Sequence, residues 1–63
     1  MLPTTGTESI ALEGGPLDGT IATVRPNTRW FQKAGLPLYH EWKDSGEIDE
    51  FGMRVFKYTG EYP

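Results

Sequence analysis

The sequence predicts a small all-β domain of four or five strands, an antiparallel meander curled toward an SH3-like half-open barrel. Residues 9–13 and 20–25 have a period-two pattern with β-branched residues, in which Ile10 and Leu12 share one face and Ala22 and Val24 share another. Aromatic and β-branched residues are concentrated in 38–43 and 53–59. Segments containing glycine and proline separate these runs and favour turns between short strands.

The chain length predicts one domain. Its 63 residues are 37% hydrophobic and include no Cys, so neither a disulfide nor a thiolate metal site contributes to stability. We expect a single β domain over 9–60, a flexible arm at 1–8 and a tail at 61–63. A core of this size leaves no room for a deep reaction pocket, and no nucleophile, base and orienting group occur together. An enzyme, a cofactor and a metal are therefore not expected.

The first hairpin joins strands around Ile10 and Ala22 through the segment 14–19, Gly-Gly-Pro-Leu-Asp-Gly. We expect Leu17 to enter the core while the other residues of the segment build the turn through positive φ, fixed φ and an Asx hydrogen bond. These turn residues are Gly14, Gly15, Pro16, Asp18 and Gly19. The alternative is an anion cradle of exposed amides. Pro16 removes one donor and no Lys-Ser or Lys-Thr follows, which disfavours that alternative.

The middle of the chain is expected to contain one short helical turn between Asn27 and Ala34. Pro26 ends the preceding strand, and Asn27 or Thr28 is suited to cap such a turn. Trp30, Phe31 and Leu36 would then cover one end of the core. The second hairpin is expected to join 38–43 to 53–59 through a polar loop at 44–52, with Lys43 opposite Met53.

That hairpin carries apolar or aromatic side chains on both of its faces. One face has Leu38, His40, Trp42, Arg54, Phe56 and Tyr58, and the other has Tyr39, Glu41, Lys43, Met53, Val55 and Lys57. Only one face forms the interior of a single-layer domain, so the other is expected to present Tyr39 or Tyr58 among cations. Exposed Tyr, Trp and Arg are typical of protein interfaces.

We therefore expect a protein-binding module that contacts another protein or a second copy of itself. The candidate contact residues are Arg29, Trp30, Tyr39, Arg54, Lys57 and Tyr58, with Asp44, Glu47, Asp49 and Glu50 as a charged rim. The density of acidic residues in 41–50 indicates either a solvated loop or a surface for a basic partner. No apolar run approaches the ~18 residues of a membrane span, so no membrane partner is expected.

The alternative function is binding of nucleic acid or a nucleotide. Between Gly19 and His40 the chain has no acidic residue, and Arg25, Arg29 and Lys33 lie there beside Trp30. Cations and aromatic rings together hold single strands, with the loop at 14–19 as a further contact. A formal net charge of −3 argues against this alternative, because nucleic-acid binders usually carry a basic surplus.

The segment 14–19 also carries a family resemblance. Together with Val24-Arg25-Pro26, Tyr39 and the segment 54–58, Arg-Val-Phe-Lys-Tyr, it resembles a group of short proteins of actinobacteria and their bacteriophages. Those proteins begin with a Gly-Gly-Pro-x-Asp-Gly signature and end in a hairpin containing Tyr and Phe. The resemblance implies a setting in the host cytoplasm or the virion, as an accessory piece of the particle or a small product that blocks a host protein.

Overall fold

The computed structural model describes residues 6–35 and 37–63. Its strands are β1 (Glu8–Glu13), β2 (Ile21–Val24), β3 (Trp30–Gly35), β4 (Leu38–Ile48) and β5 (Arg54–Tyr62). They form one sheet in the order β2-β1-β5-β4-β3, which curls until it is nearly closed into a barrel. The predicted all-β class is confirmed.

One strand pairing departs from the antiparallel meander. β1 pairs with β2 and β4 pairs with both β3 and β5 in antiparallel fashion, but β1 and β5 are parallel, with Ala11 opposite Val55. The two hairpins therefore join through the first and last strands of the chain, and the sheet is mixed. β2 and β3 are its two edges.

All five strands contribute to a single small core. Ile10, Leu12, Trp42 and Phe56 are buried, and Ala22, Val24, Phe31 and Tyr58 pack around them with Leu17. Because no second layer covers this face, the sheet must curve around its own side chains to exclude water. The curvature defines an inner face, which holds the core, and an outer face, which carries the intervening residues of each strand.

The predicted helical turn was placed in the wrong segment. The chain from Trp30 to Gly35 is strand β3, paired along its length with β4. The short helical turn is a 3₁₀ turn at Gly15–Leu17, where Pro16 supplies a helical φ. Phe31 packs on the core as expected of a lid residue, whereas Leu36 lies outside the described residues.

The second hairpin is longer than predicted and has a different register. β4 continues through the expected loop to Ile48, and Lys43 lies opposite Lys57 rather than Met53. The register shifts between Glu41 and Trp42 and again between Asp44 and Glu47. Because the error of four positions is even, Trp42, Phe56 and Tyr58 still share one face. β5 also runs to Tyr62, so most of the expected tail belongs to the sheet.

Candidate functional site

The glycine-rich segment 14–19 is held against the core by a hydrogen bond from Trp42 and by close contact with Tyr58. The Gly14 amide donates to Asp18 Oδ1 at 2.7 Å, and the Trp42 indole Nε1 donates to the Gly14 carbonyl at 2.9 Å. The Tyr58 ring lies so close to Gly15 that an added Cβ would approach it to 2.5 Å. The Asp18 and Gly19 amides donate to carbonyls within the hairpin. With the Asp18 carboxylate already bound inside it, the segment is a structural turn rather than an anion cradle.

Two of the predicted contact residues, Arg54 and Asp44, are bound to each other inside the fold. Arg54 Nη1 donates to Asp44 Oδ2 at 2.8 Å and to the Thr28 carbonyl, while Nε donates to Glu8 Oε2 at 2.8 Å. The Gly46 amide, followed by Arg54, holds the pKa of Asp44 below its ordinary value against the opposing effect of burial. These groups tie β1, β4 and β5 together and are not available to a partner.

The Tyr58 side chain also makes its contacts with residues of the inner face. Its hydroxyl lies 2.9 Å from His40 Nδ1, and its ring packs against Trp42 with centroids 5.1 Å apart. Desolvation raises the pKa of the Tyr58 phenol, with smaller contributions from Glu61 and Tyr62. The other candidate tyrosine, Tyr39, is half-buried and stacks on Tyr62. Both tyrosines are thus half-buried and in contact with other aromatic side chains.

Two of the remaining predicted contacts, Trp30 and Lys57, lie in one row with Lys43 across the outer face. Trp30 lies opposite Lys43, and Lys43 lies opposite Lys57. The Lys43 ammonium is 5.1 Å from the centroid of the Trp30 ring, and Lys57 Nζ is 3.0 Å from Glu47 Oε2. The hydrogen bond with Glu47 raises the pKa of Lys57. Arg29, which precedes Trp30, is exposed.

Asp49 and Glu50 occupy the turn between β4 and β5. Asp49 Oδ1 accepts hydrogen bonds from the amides of Phe51 and Met53, both at 2.9 Å. Glu50 is exposed and makes no ion pair among the described residues. Asp49 therefore shapes the turn, and Glu50 contributes charge beside it.

An apolar surface lies on the outer face near β2, the edge strand opposite to β3, which carries Trp30. The register aligns Val55, Ala11 and Ile21 in one row across β5, β1 and β2. Beside this row is a groove of about 510 Å³, whose lining includes Ala11, Ile21, Phe51 and Met53; we call it the outer groove. Ile21 is 61% exposed and Phe51 76% exposed. Val55 is buried although it lies outside the core cluster.

The outer groove has an acidic surround. Asp49 is the one charged side chain among its lining residues, and exposed Glu50 and Asp18 directly precede the lining residues Phe51 and Gly19. None of these three carboxylates joins an ion pair within the described part of the chain. The groove thus combines large apolar side chains with unpaired negative charge.

The sequence singled out Asp49 and Glu50, which lie at or next to the lining of the outer groove, but not Ile21, Phe51 and Met53, which line it. The exposed Ile21 falls at an alternating strand position, and Phe51 follows two acids in a turn, so each residue alone looks ordinary. The signal that matters is the alignment of residues 11, 21 and 55. The β1–β2 hairpin places 11 opposite 21, and the parallel pairing of β1 with β5 adds 55 to the row.

Within residues 6–35 and 37–63, no helix has the length and apolar character needed to span a membrane. The same residues contain no set of three His, Cys, Asp or Glu side chains arranged to hold a metal ion.

Comparison with protein-family models, with curated proteins and with solved structures finds no match to this chain.

Proposed function

We propose that this protein is a non-enzymatic binding module that docks onto another protein through the outer groove. The observation that carries the proposal is apolar exposure outside the core: Ile21, which lies in one outer row with Ala11 and the buried Val55, is exposed at the outer groove, and so is Phe51. Exposed apolar patches with a polar rim are typical of interaction surfaces. The resemblance carried by the segment 14–19 favours a phage or host protein as the partner.

Marginal stability supports the same proposal. A domain of this size rarely gains more than roughly 3–5 kcal/mol from its own core, and the buried cluster among the described residues has four side chains. Leaving Ile21 and Phe51 exposed contributes nothing to the isolated fold, whereas covering such side chains contributes about 1.5–3 kcal/mol each. A partner that covers them would stabilise the module by mass action.

The test compares matched variants at two exposed positions. A partner that co-purifies with the wild-type chain is expected to be lost with Phe51→Ser or Ile21→Ser, through a rise in Kd of roughly 10- to 100-fold. Trp30→Ser, which also removes a large exposed side chain, should retain the partner. Equal binding by wild type and Phe51→Ser would remove the outer groove from consideration.

A second candidate function, binding of single-stranded nucleic acid, is favoured by the row of Trp30, Lys43 and Lys57. The exposed indole offers a stacking platform and Lys43 beside it a phosphate contact, whereas Lys57 is paired with Glu47. This second function predicts that the protein binds oligonucleotides and that its affinity for them falls steeply between low and physiological salt. Trp30→Ser should abolish that binding and Phe51→Ser should not, the reverse of the order expected for a protein partner.

A further inference from the structure

We infer that the occupant of the outer groove is an extended, basic segment of a partner protein that adds as a strand to the free edge of β2. This inference rests on the proposed function and specifies the partner. It follows from the hydrogen-bonding direction of β2, the position of the groove beside that edge, and the charge around it.

The backbone of β2 has a free edge within the described residues. Among them, β2 is the terminal strand of the sheet and pairs with β1 alone. The Leu12 amide donates to the Thr20 carbonyl, so Thr20 faces β1. Because backbone groups of successive residues point to opposite sides of a strand, Ala22 and Val24 also face β1. The N–H and C=O groups of Ile21 and Thr23 therefore point away from the sheet.

The same edge carries the exposed side chain of the groove. Ile21 lines the outer groove, opposite Phe51 and Met53 of the β4–β5 turn. An added strand next to β2 would lie about 4.8 Å from it, and every second side chain of that strand would point to the outer face. One apolar side chain in the segment would thus rest against Ile21 while the backbone pairs with Ile21 and Thr23.

Charge selects a basic segment over a second copy of this chain. Asp49 lines the groove, and Asp18 and Glu50 directly precede lining residues; none of the three has an ion-pair partner in the described residues. Another molecule of net charge −3 would bring the same carboxylates toward them. Lys or Arg flanking an apolar anchor would instead neutralise them, which raises the association rate and selects among partners.

The inference is tested with three labelled peptides of seven residues and the full chain. The probe alternates Val and Lys; one control replaces the central Val by Pro, and the other replaces each Lys by Glu. The Val/Lys peptide is expected to bind saturably by fluorescence anisotropy, with Kd at least tenfold lower than either control. The Pro peptide keeps the charge, so it separates strand pairing from simple attraction. Absence of binding by the Val/Lys peptide, or equal binding by either control, overturns the inference.

Variants of the protein locate the contact. Thr23→Pro removes an amide that β1 does not use and should weaken the Val/Lys peptide at least tenfold, while Trp30→Ser leaves its Kd unchanged. Glu50→Gln should weaken binding more than Glu61→Gln, which removes the same charge from the far end of β5. In the wild-type chain the peptide should slow amide exchange at Ile21 and Thr23. That measurement decides the question even where Thr23→Pro fails to fold, and unchanged exchange at both amides contradicts strand addition.

The outcomes also separate this inference from the proposed function. If Phe51→Ser abolishes binding of a protein partner but the Val/Lys peptide does not bind, the outer groove remains the docking surface and strand addition is wrong. If Phe51→Ser leaves the partner bound, the outer groove is not the docking surface, and strand addition beside it is then wrong as well.

Discussion

Contacts of single residues explain why the segment 14–19 has the composition it has. Gly15 combines a positive φ of 73° with the face of Tyr58, and no other residue type satisfies both conditions. Asp18 closes the turn through the Gly14 amide, and the Gly14 carbonyl accepts from buried Trp42. The segment 14–19 thus holds the first hairpin against the core.

Gly15→Ala is predicted to lower the free energy of unfolding by about 3 kcal/mol, combining overpacking with the strain of a positive φ. Gly19→Ala is the control, because Gly19 has a φ of 83° but no atom within 4 Å of its added Cβ; it should cost only about 1 kcal/mol. Urea denaturation measures both. In a Tyr58→Ala background the two substitutions should become similar, and a persistent difference would contradict the role given to the Tyr58 ring.

The ion-pair cluster of Arg54 makes stability depend on pH. Because the folded state lowers the pKa of Asp44 from 3.8, its stabilising contribution is complete above about pH 4 and is lost as pH falls through the lowered value. Asp44→Asn should therefore cost about 2 kcal/mol at pH 7, the scale of a hydrogen bond to a charged group.

The cost of Asp44→Asn should shrink as the pH is lowered below 4, as followed by urea denaturation at a series of pH values. Glu47→Gln, which breaks the exposed pair with Lys57, should change stability little at any pH. A pH-independent cost of Asp44→Asn would show that the ionised carboxylate is not what stabilises the cluster.

At the scale of elements, the first hairpin and the core strands follow from local pattern, while β3 and the second turn do not. Ile10 and Leu12 are the large apolar residues at alternate positions of β1, and both lie on its buried face. β3 has no such alternation: Trp30 and Phe31 are adjacent, and pairing with β4 decides their conformation. The acidic segment containing Gly46 looks like a turn, and its positive φ of 85° instead accommodates a shift in register within β4.

The Asp49 carboxylate stabilises the turn between β4 and β5. Asp49→Ala removes the acceptor of the Phe51 and Met53 amides and should lower the free energy of unfolding by about 1–2 kcal/mol. It should also weaken any partner of the outer groove, because Phe51 is held by the same turn. Glu50→Ala is the neighbouring control, with little effect on unfolding. Identical denaturation curves for the two variants would refute the role of Asp49.

At the scale of the whole molecule, Ile10 is expected to contribute to folding and Ile21 to binding. Ile10 is buried in a four-residue core cluster, whereas Ile21 is mostly exposed on the outer face. Ile10→Ala should cost about 3 kcal/mol, comparable to the entire stability of roughly 3–5 kcal/mol expected for a domain of this size. The chain should then lose its near-ultraviolet circular dichroism in one cooperative step at a much lower temperature, because all five strands share that core.

Ile21→Ala is predicted to leave the melting temperature nearly unchanged, since truncating an exposed side chain removes little buried area. With the Val/Lys peptide present, wild type should melt several degrees higher than without it, because about 1 kcal/mol of binding free energy shifts Tm by roughly 4–8 °C in a domain this small. Ile21→Ala should lose that increment and keep its own Tm. A large drop in Tm for free Ile21→Ala would mean that the outer row contributes to folding, and the reason for assigning it to a partner would disappear.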